Sequence, residues 1–195
     1  MKLEVADISE ANFEHLFDCS TAAVGKDDGC KFCLYWEEPD PEQWPKSLEE
    51  RAERKRHWFR RVTAEFGVCG KLAFIDGVPV AYAQFAPARY LPNAAAYRCA
   101  PPSDDAVFVS CLYVPGRAKA GIGSALLEAI VGDTRAHGVT ALETFARKRS
   151  ANNPSGPLEF WLKHGFSVVR EDEDFALVHR KLGSQVPTPA TESER

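Results

Sequence analysis

One segment constrains the fold of this chain more than any other. A β-rich run passes through a loop of small and basic residues and leads straight into an amphipathic helix. The run covers residues 107–114, and the helix is expected over 121–136 because its apolar residues recur at helical spacing, with Gly138 as the stop. A buried strand followed at once by a helix with one apolar face predicts a sheet covered by helices, and hence an α/β fold.

The rest of the chain continues this alternation. Ser47 and Glu50 form a capping box, Ser9 is the expected cap of the first helix, and Asp76-Gly77 has the sequence of a two-residue hairpin turn. The proline-rich stretch 86–105 is predicted to be a long loop of the kind that shapes a binding site. The expected helices and strands follow the order β-α-α-β-β-β-α-β-α-β-β and cover residues 2–6, 9–17, 47–66, 71–75, 78–85, 107–114, 121–136, 141–146, 158–164, 166–170 and 175–182.

The composition is that of one globular domain. An apolar fraction of 45% in 195 residues suffices for a core over residues 1–182, whereas 183–195 are polar, aperiodic and expected to form a disordered tail. A formal charge of -4 provides no field that would gather nucleic acid or an anionic membrane. The chain contains neither a bilayer-length apolar run nor a basic, apolar leader, so we expect a cytoplasmic protein.

The six cysteines leave more than one interpretation open. Cys30 and Cys33 have metal-ligand spacing, but structural zinc generally needs a second pair with such spacing, and none is present. A single CxxC is weak evidence, so we assign no metal ligand. A redox pair, simple buried thiols and a zinc-dependent sensor built on these two cysteines stay open as alternatives.

The loop between strand and helix has the chemistry of an anion site. Small side chains let backbone N–H groups converge, the start of the helix adds its unpaired amides, and Arg117 and Lys119 bring positive charge. A pyrophosphate fits such a junction. The alternative is a tight turn that needs glycine for its geometry and merely carries solvated basic residues.

This segment resembles the GNAT acetyltransferases. Their signature is Arg or Gln, two residues, Gly, one residue, then Gly or Ala, after a strand that reads like Leu-x-Val. Leu112-x-Val114 and Gly121-Ile122-Gly123 match it, but Ala118 stands at the Arg/Gln position and Arg117 comes one residue early, as in a loop one residue longer. Residues 160–166 also look like the family's helix that ends in Gly-Phe, and the predicted element order is the family's order.

The resemblance implies a GNAT fold, with a mixed, splayed sheet of about seven strands and helices on both faces. It also implies acetyl-CoA as cosubstrate, direct attack on its thioester by a primary amine, and a possible homodimer. The strand 107–114 would splay from its parallel neighbour and pair with the pantetheine arm. The implied cofactor-binding residues are Leu112, Tyr113, Val114, Arg117, Ala118, Lys119, Ala120, Gly121, Ile122, Gly123 and Ser124.

The catalytic groups implied by the resemblance match the family's pattern less closely than the cofactor-binding residues do. Trp161 occupies the position of the tyrosine that protonates the leaving thiolate in many relatives, which leaves Tyr113 and Cys111 as replacements. Because a strand alternates its faces, we expect at most one of these two to point to the substrate. Glu143, in Leu142-Glu143-Thr144, looks like the glutamate of ribosomal-protein alanine acetyltransferases that deprotonates the amine through water. The alternative is a strand glutamate with its head in solvent.

The acceptor pocket is expected among aromatic residues. Tyr35, Trp36 and Trp161 are the predicted pocket residues, with plain core packing as the alternative. The acidic run that begins at Glu37 and Glu38 favours a cationic acceptor or is simply solvated. A different class of function is a non-catalytic acyl-CoA-binding or regulatory module, which the tryptophan in the acid position would suit.

Overall fold

A computed structural model describes residues 2–19, 30–114, 121–149 and 156–183. Its elements follow the predicted order. The strands are β1 (Leu3–Asp7), β2 (Gly70–Ile75), β3 (Val78–Pro87), β4 (Ala106–Tyr113), β5 (Ala141–Arg147), β6 (Ser167–Glu171) and β7 (Phe175–Lys181). The α-helices are α1 (His15–Asp18), α2 (Leu48–Glu65), α3 (Ile122–Ala136) and α4 (Leu158–Lys163). The tail predicted to be disordered falls outside the described residues from position 184 onward.

The strands form one mixed sheet in the order β1-β2-β3-β4-β5-β7-β6. Every pair is antiparallel except β4 and β5, which run parallel and are paired only from Ala106–Ala141 to Phe108–Glu143. Beyond this point Thr144 Oγ1 donates a hydrogen bond of 2.7 Å to the Val109 carbonyl oxygen. The two strands then diverge, which confirms the predicted splayed sheet.

A bulge in β4 lies beside the point of divergence. Gln84 pairs with Cys111 and Phe85 pairs with Val109, so Ser110 is the extra residue, and its Oγ donates to the Gln84 carbonyl oxygen at 3.1 Å. A bulge shifts the alternation of faces by one residue. Phe108, Cys111 and Tyr113 therefore all pack on one side of the sheet. The expectation that at most one of Cys111 and Tyr113 points to that side is wrong, because strand residues two apart share a face.

Each face of the sheet carries its own hydrophobic core. Helices α1 and α2 bury Leu16, Trp58 and Phe59 on the face of Phe108 and Cys111, which we call the front face. Helices α3 and α4 bury their apolar residues, including Leu126 and Trp161, on the opposite, back face. Helices on both faces of a mixed sheet are the predicted architecture.

Local signals explain most element boundaries. Ser47 Oγ accepts the Glu50 N–H at 3.4 Å at the start of α2, and Asp76 and Gly77 both adopt positive φ (49° and 82°) in the hairpin turn. The first helix is shorter than predicted because Asn12 Oδ1 accepts the Ser9 N–H at 2.8 Å, forming a turn. Helix α1 begins only at His15.

Phe145 should be among the most costly core residues to truncate. Its buried ring stacks on Tyr97 at 4.2 Å and lies 4.9 Å from Phe108, so it joins β5 to the loop 86–105. Phe145→Ala should lower the free energy of unfolding by about 3–5 kcal/mol, because it removes buried area and leaves a cavity. Urea denaturation measures this. The exposed Val169, as Val169→Ala, is the control and should cost about 0.5 kcal/mol or less.

Candidate functional site

The start of α3 presents backbone donors beside the end of β4. Gly121 is the N-cap residue in a left-handed conformation (φ 75°, ψ 11°), and the first hydrogen bond of the helix runs from Ala125 N to Gly121 O at 2.9 Å. The N–H groups of Ile122, Gly123 and Ser124 precede that bond, so none has a partner within the helix. Converging N–H groups at the positive end of a helix suit an anion. Arg117, Ala118, Lys119 and Ala120 fall outside the described residues.

The two glycines of this junction have different surroundings. A Cβ added to Gly121 would meet no described atom within 4 Å, whereas one on Gly123 would lie 3.4 Å from the Phe160 ring and 3.8 Å from Val114. Gly121 is therefore favoured by its positive φ, and no described side chain crowds it. A Cβ at position 123 would make ordinary van der Waals contact between α3 and α4, so packing among the described residues does not require glycine there.

The Ser124 hydroxyl is committed within the protein. Its Oγ lies 2.9 Å from His164 Nε2, and His164 Nδ1 lies 2.7 Å from the Phe160 carbonyl oxygen. A carbonyl only accepts, so Nδ1 carries a hydrogen. The Ser124 hydroxyl is thus hydrogen-bonded to His164, and its backbone N–H is the group that Ser124 can offer an anion.

Glu143 is buried at the last residue pair before β4 and β5 diverge. Its side chain is 1% exposed and accepts hydrogen bonds from Ser103 N (2.7 Å), Ser103 Oγ (2.7 Å) and His179 Nδ1 (3.0 Å). The alternative interpretation, a carboxylate with its head in solvent, is therefore wrong. The carboxylate ties the loop 86–105 to β5 and β7.

The three aromatic residues predicted to form one pocket do not meet. Trp36 is buried on the front face, where its ring stacks on Tyr97 at 5.7 Å, and the half-buried Tyr35 packs beside it at 5.2 Å. Trp161 is fully buried on the back face against Phe166. The sheet separates Trp161 from the other two, so the prediction of a shared pocket is wrong for Trp161.

A cleft of about 520 Å³ lies on the Tyr35 side. It is bordered by the segment around Tyr35, by the loop at residues 96–98 and by the turn between β6 and β7. The Phe175 and Asp174 N–H groups donate to Asp172 and hold the pKa of its carboxyl below the usual value. The turn was visible in the sequence as an acidic hairpin loop, but nothing local indicated that it faces Tyr35. The lining residues are Tyr35, Ala96, Tyr97, Arg98, Asp172, Glu173, Asp174 and Phe175.

A buried polar cluster on the front face was not anticipated. Glu37 Oε1 accepts from Lys55 Nζ at 2.9 Å and from Gln84 Nε2 at 2.8 Å, while Lys55 also donates to the Cys33 carbonyl oxygen at 2.8 Å. Burial lowers the pKa of Lys55, but the charge and hydrogen bond of Glu37, together with the nearby Cys111 and Cys33, outweigh burial and leave this pKa raised. Within the described part of the chain, Glu37 Oε2 and Gln84 Oε1 are buried without any hydrogen-bond partner. In the sequence, Glu37 reads as one member of a solvated acidic run.

The comparison with known families agrees with this geometry. A model of the acetyltransferase (GNAT) family matches residues 31–166, which is more than half of the chain. The chain belongs to the GNAT acetyltransferase family. It is accordingly an acetyl-CoA-dependent N-acetyltransferase, with acetyl-CoA as its cosubstrate. A search among curated proteins gives no match.

Solved GNAT structures share the fold at low sequence identity. A PaiA N-acetyltransferase from Thermoplasma acidophilum, in complex with coenzyme A, has a TM-score of 0.57 and 14% identity over 93% of this chain and 99% of that one. An N-acetyltransferase from Staphylococcus aureus has a TM-score of 0.57 and 16% identity over 94% and 100%. The ribosomal-protein-S18-alanine N-acetyltransferase from Escherichia coli has a TM-score of 0.52 and 13% identity over 94% and 96%.

The described residues contain no group of three His, Cys, Asp or Glu side chains arranged to hold a metal ion. None of the helices in the described ranges is long and apolar enough to cross a bilayer. Cys30 and Cys33 are both half-buried, and none of the six cysteines, all of which lie in the described ranges, forms a disulfide bond.

The cysteines should differ strongly in reactivity. Burial raises the pKa of Cys19 and of Cys69 to about 12, so these thiols hold almost no thiolate at neutral pH. Iodoacetamide at pH 7.5 should therefore alkylate the half-buried Cys30 at least about tenfold faster than Cys69, as followed by peptide mass spectrometry. All six should react at similar rates in guanidinium chloride. Equal labelling of Cys30 and Cys69 in the native protein would contradict the burial.

Proposed function

We propose that this protein transfers the acetyl group of acetyl-CoA to a primary amine, which attacks the thioester directly. The observation that carries the proposal is the divergence of β4 from β5 after Phe108 and Glu143, at the strand that leads to the open start of α3. The pantetheine arm of the cofactor would lie in the slot between the two diverging strands, and its pyrophosphate would bind at the start of α3.

The cofactor would be held largely by backbone groups. One edge of β4 pairs with β3, as at Leu112–Ala83. The ladder to β5 ends at Phe108, and beyond it the pantetheine amides would bind beside Leu112 and Val114. The N–H groups from Ile122 to Ser124 would take the pyrophosphate, with the predicted contributions of Tyr113 and of residues 117–121 beside them. When bound, acetyl-CoA supplies a thioester carbonyl open to attack by an amine.

Both faces of the sheet carry helices, so the proposed approach of the acceptor from the front face rests on the cleft beside Tyr35. This cleft lies on that side, and its described lining residues include three acidic ones, Asp172, Glu173 and Asp174, and one cation, Arg98. Net negative charge attracts amines that are protonated in solution. We therefore expect a cationic acceptor that carries a primary amino group.

Tyr113 is the preferred proton donor to the departing thiolate. Tyr113 and Cys111 both pack on the front face, but burial raises the pKa of the Cys111 thiol far above its usual range. A thiol that holds its proton so firmly is a poor acid. The non-catalytic alternative rests on the fully buried Trp161 at the usual acid position. A cytoplasmic location and a homodimer stay predictions.

Gly121 and Gly138 form a matched pair for testing the cofactor site. Both have positive φ (75° and 72°), and a Cβ on either would meet no described atom within 4 Å. Substitution by tryptophan therefore strains both equally, but only Gly121→Trp places a ring over the start of α3. Calorimetric titration should show the affinity for acetyl-CoA reduced at least about a hundredfold in Gly121→Trp, while Gly138→Trp binds normally. Equal loss in both variants would mean that the helix start is not the phosphate site.

The variant Glu143→Gln distinguishes a general base from a residue whose hydrogen bonds only stabilise the structure. All the donors to this carboxylate come from the protein, so we expect mainly a structural effect. The melting temperature should fall by several degrees, since one charge-assisted bond to Ser103 or His179 is lost. The turnover number with an accepted amine should fall less than about tenfold. A loss above a hundredfold at unchanged melting temperature would instead establish Glu143 as the general base.

A further inference from the structure

Two buried oxygens on the front face accept no hydrogen bond from the described part of the chain. Glu37 Oε2 and Gln84 Oε1 both lie inside the protein, and no described residue donates to either. They belong to groups already joined at 2.8 Å by the bond from Gln84 Nε2 to Glu37 Oε1, so they lie close together. A buried acceptor without a donor costs about 1–3 kcal/mol. Two such atoms in one cluster point to a ligand that brings two donors.

The position of this pair matches the reacting end of the cofactor slot. Gln84 pairs with Cys111 directly beside the Ser110 bulge, where β4 has just left β5. Glu37 also lies near Cys111. Burial has the largest effect on the pKa of the Cys111 thiol, and Lys55, Cys33, Glu37 and Cys30 are the nearby groups that also affect it. Glu37 also follows Tyr35, which lines the acceptor cleft, by only two residues. The cluster is thus on the side from which an acceptor would arrive.

The charge state of the cluster favours a neutral donor. Lys55 and Glu37 form an ion pair whose side chains are only 2% and 3% exposed, so the buried charges already balance. An additional cation would be repelled by Lys55 and would lose its hydration. An amine that enters the cluster would therefore shed its extra proton to solvent. A neutral primary amine then has two N–H donors and one lone pair.

We propose that Glu37 Oε2 and Gln84 Oε1 accept the two N–H groups of the acceptor's reacting amine. Held by both hydrogens, a neutral –NH2 group keeps its lone pair directed away from the two oxygens and toward the slot between β4 and β5. The pair thereby selects primary amines, because a neutral secondary amine can satisfy only one of the two oxygens. This inference rests on the proposed acetyltransferase function and names the residues that recognise its acceptor.

Glu143 differs from Glu37 in the number of its carboxylate oxygens that accept hydrogen bonds from described residues. Both Glu143 oxygens already accept hydrogen bonds, from Ser103 and His179. Glu37 retains one oxygen that has no donor among the described residues. A substrate at Glu37 would satisfy an acceptor that the described part of the protein leaves unsatisfied, whereas both Glu143 oxygens already have protein donors. The amine is therefore assigned to Glu37.

The decisive variant is Glu37→Gln, which keeps the side-chain volume and can place an NH2 group where Oε2 accepts. The probes are benzylamine and tyramine, each compared with its N-methyl analogue, and putrescine, compared with its N,N′-dimethyl analogue. We expect the KM for the primary amine to rise about tenfold to a hundredfold, with the KM for acetyl-CoA unchanged. The preference for primary over N-methyl amines should shrink by a similar factor. A purely structural role would leave that preference intact.

Two more variants control for loss of stability. Gln84→Met removes one acceptor oxygen but leaves the Lys55–Glu37 ion pair, and it should also raise the amine KM. Glu10→Gln controls for the loss of one negative charge beside the same helix, since Arg60 of α2 donates to the exposed Glu10 at 2.7 and 2.8 Å. It should leave both KM values unchanged. Unaltered amine KM and selectivity in Glu37→Gln would overturn the inference.

A crystal soaked in methylamine at pH 9 supplies a readout that does not depend on activity. Density for methylamine bridging Glu37 Oε2 and Gln84 Oε1 would support the assignment. A dry site, or a water molecule only, would overturn it. If the unmodified protein acetylates none of the probes, the proposed function fails for these amines. The soak then still decides whether the two oxygens bind an amine.

Discussion

Strands β4 and β5 are joined by three residue pairs. Beyond these pairs, the Thr144 hydroxyl donates a hydrogen bond to the Val109 carbonyl oxygen. That contact, together with the extra residue Ser110 in β4, ends the parallel ladder in the middle of the sheet. Backbone groups beyond the end of a ladder need partners other than the neighbouring strand. The divergent part of β4 leads to the donors at the start of α3 and, through the pair of Gln84 with Cys111, lies beside the front-face cluster.

The same bulge decides which side chains meet on the front face. Because Ser110 is extra, Phe108 and Cys111 lie on one side, and Gln84 comes opposite Cys111. Gln84 in turn donates to Glu37, whose charge is balanced by Lys55. Buried charges are tolerated only when they are paired and hydrogen-bonded. A polar cluster in a hydrophobic core is therefore informative wherever some of its atoms still lack partners.

The sequence predicted the elements and their order because local signals are strong here. The capping serine at position 47, the Asp76-Gly77 turn and the glycines at both ends of α3 act within a few residues of themselves. The first helix was predicted too long because Asn12 competes for the Ser9 N–H. A side chain that bonds its own neighbourhood can replace a helix turn, and a single sequence does not show which alternative prevails.

The sequence by itself determined the fold and the family, since periodicity, turns and the Gly121-Ile122-Gly123 junction are properties of contiguous residues. Only the tertiary structure decided which distant side chains share a site. Trp161 packs on the back face of the sheet, and the Glu143 carboxylate accepts hydrogen bonds from three donor groups. Glu37 is hydrogen-bonded to Gln84, although the two residues are 47 positions apart in the sequence. Burial and hydrogen-bond satisfaction depend on all elements packed around an atom, so spacing along the chain does not encode them.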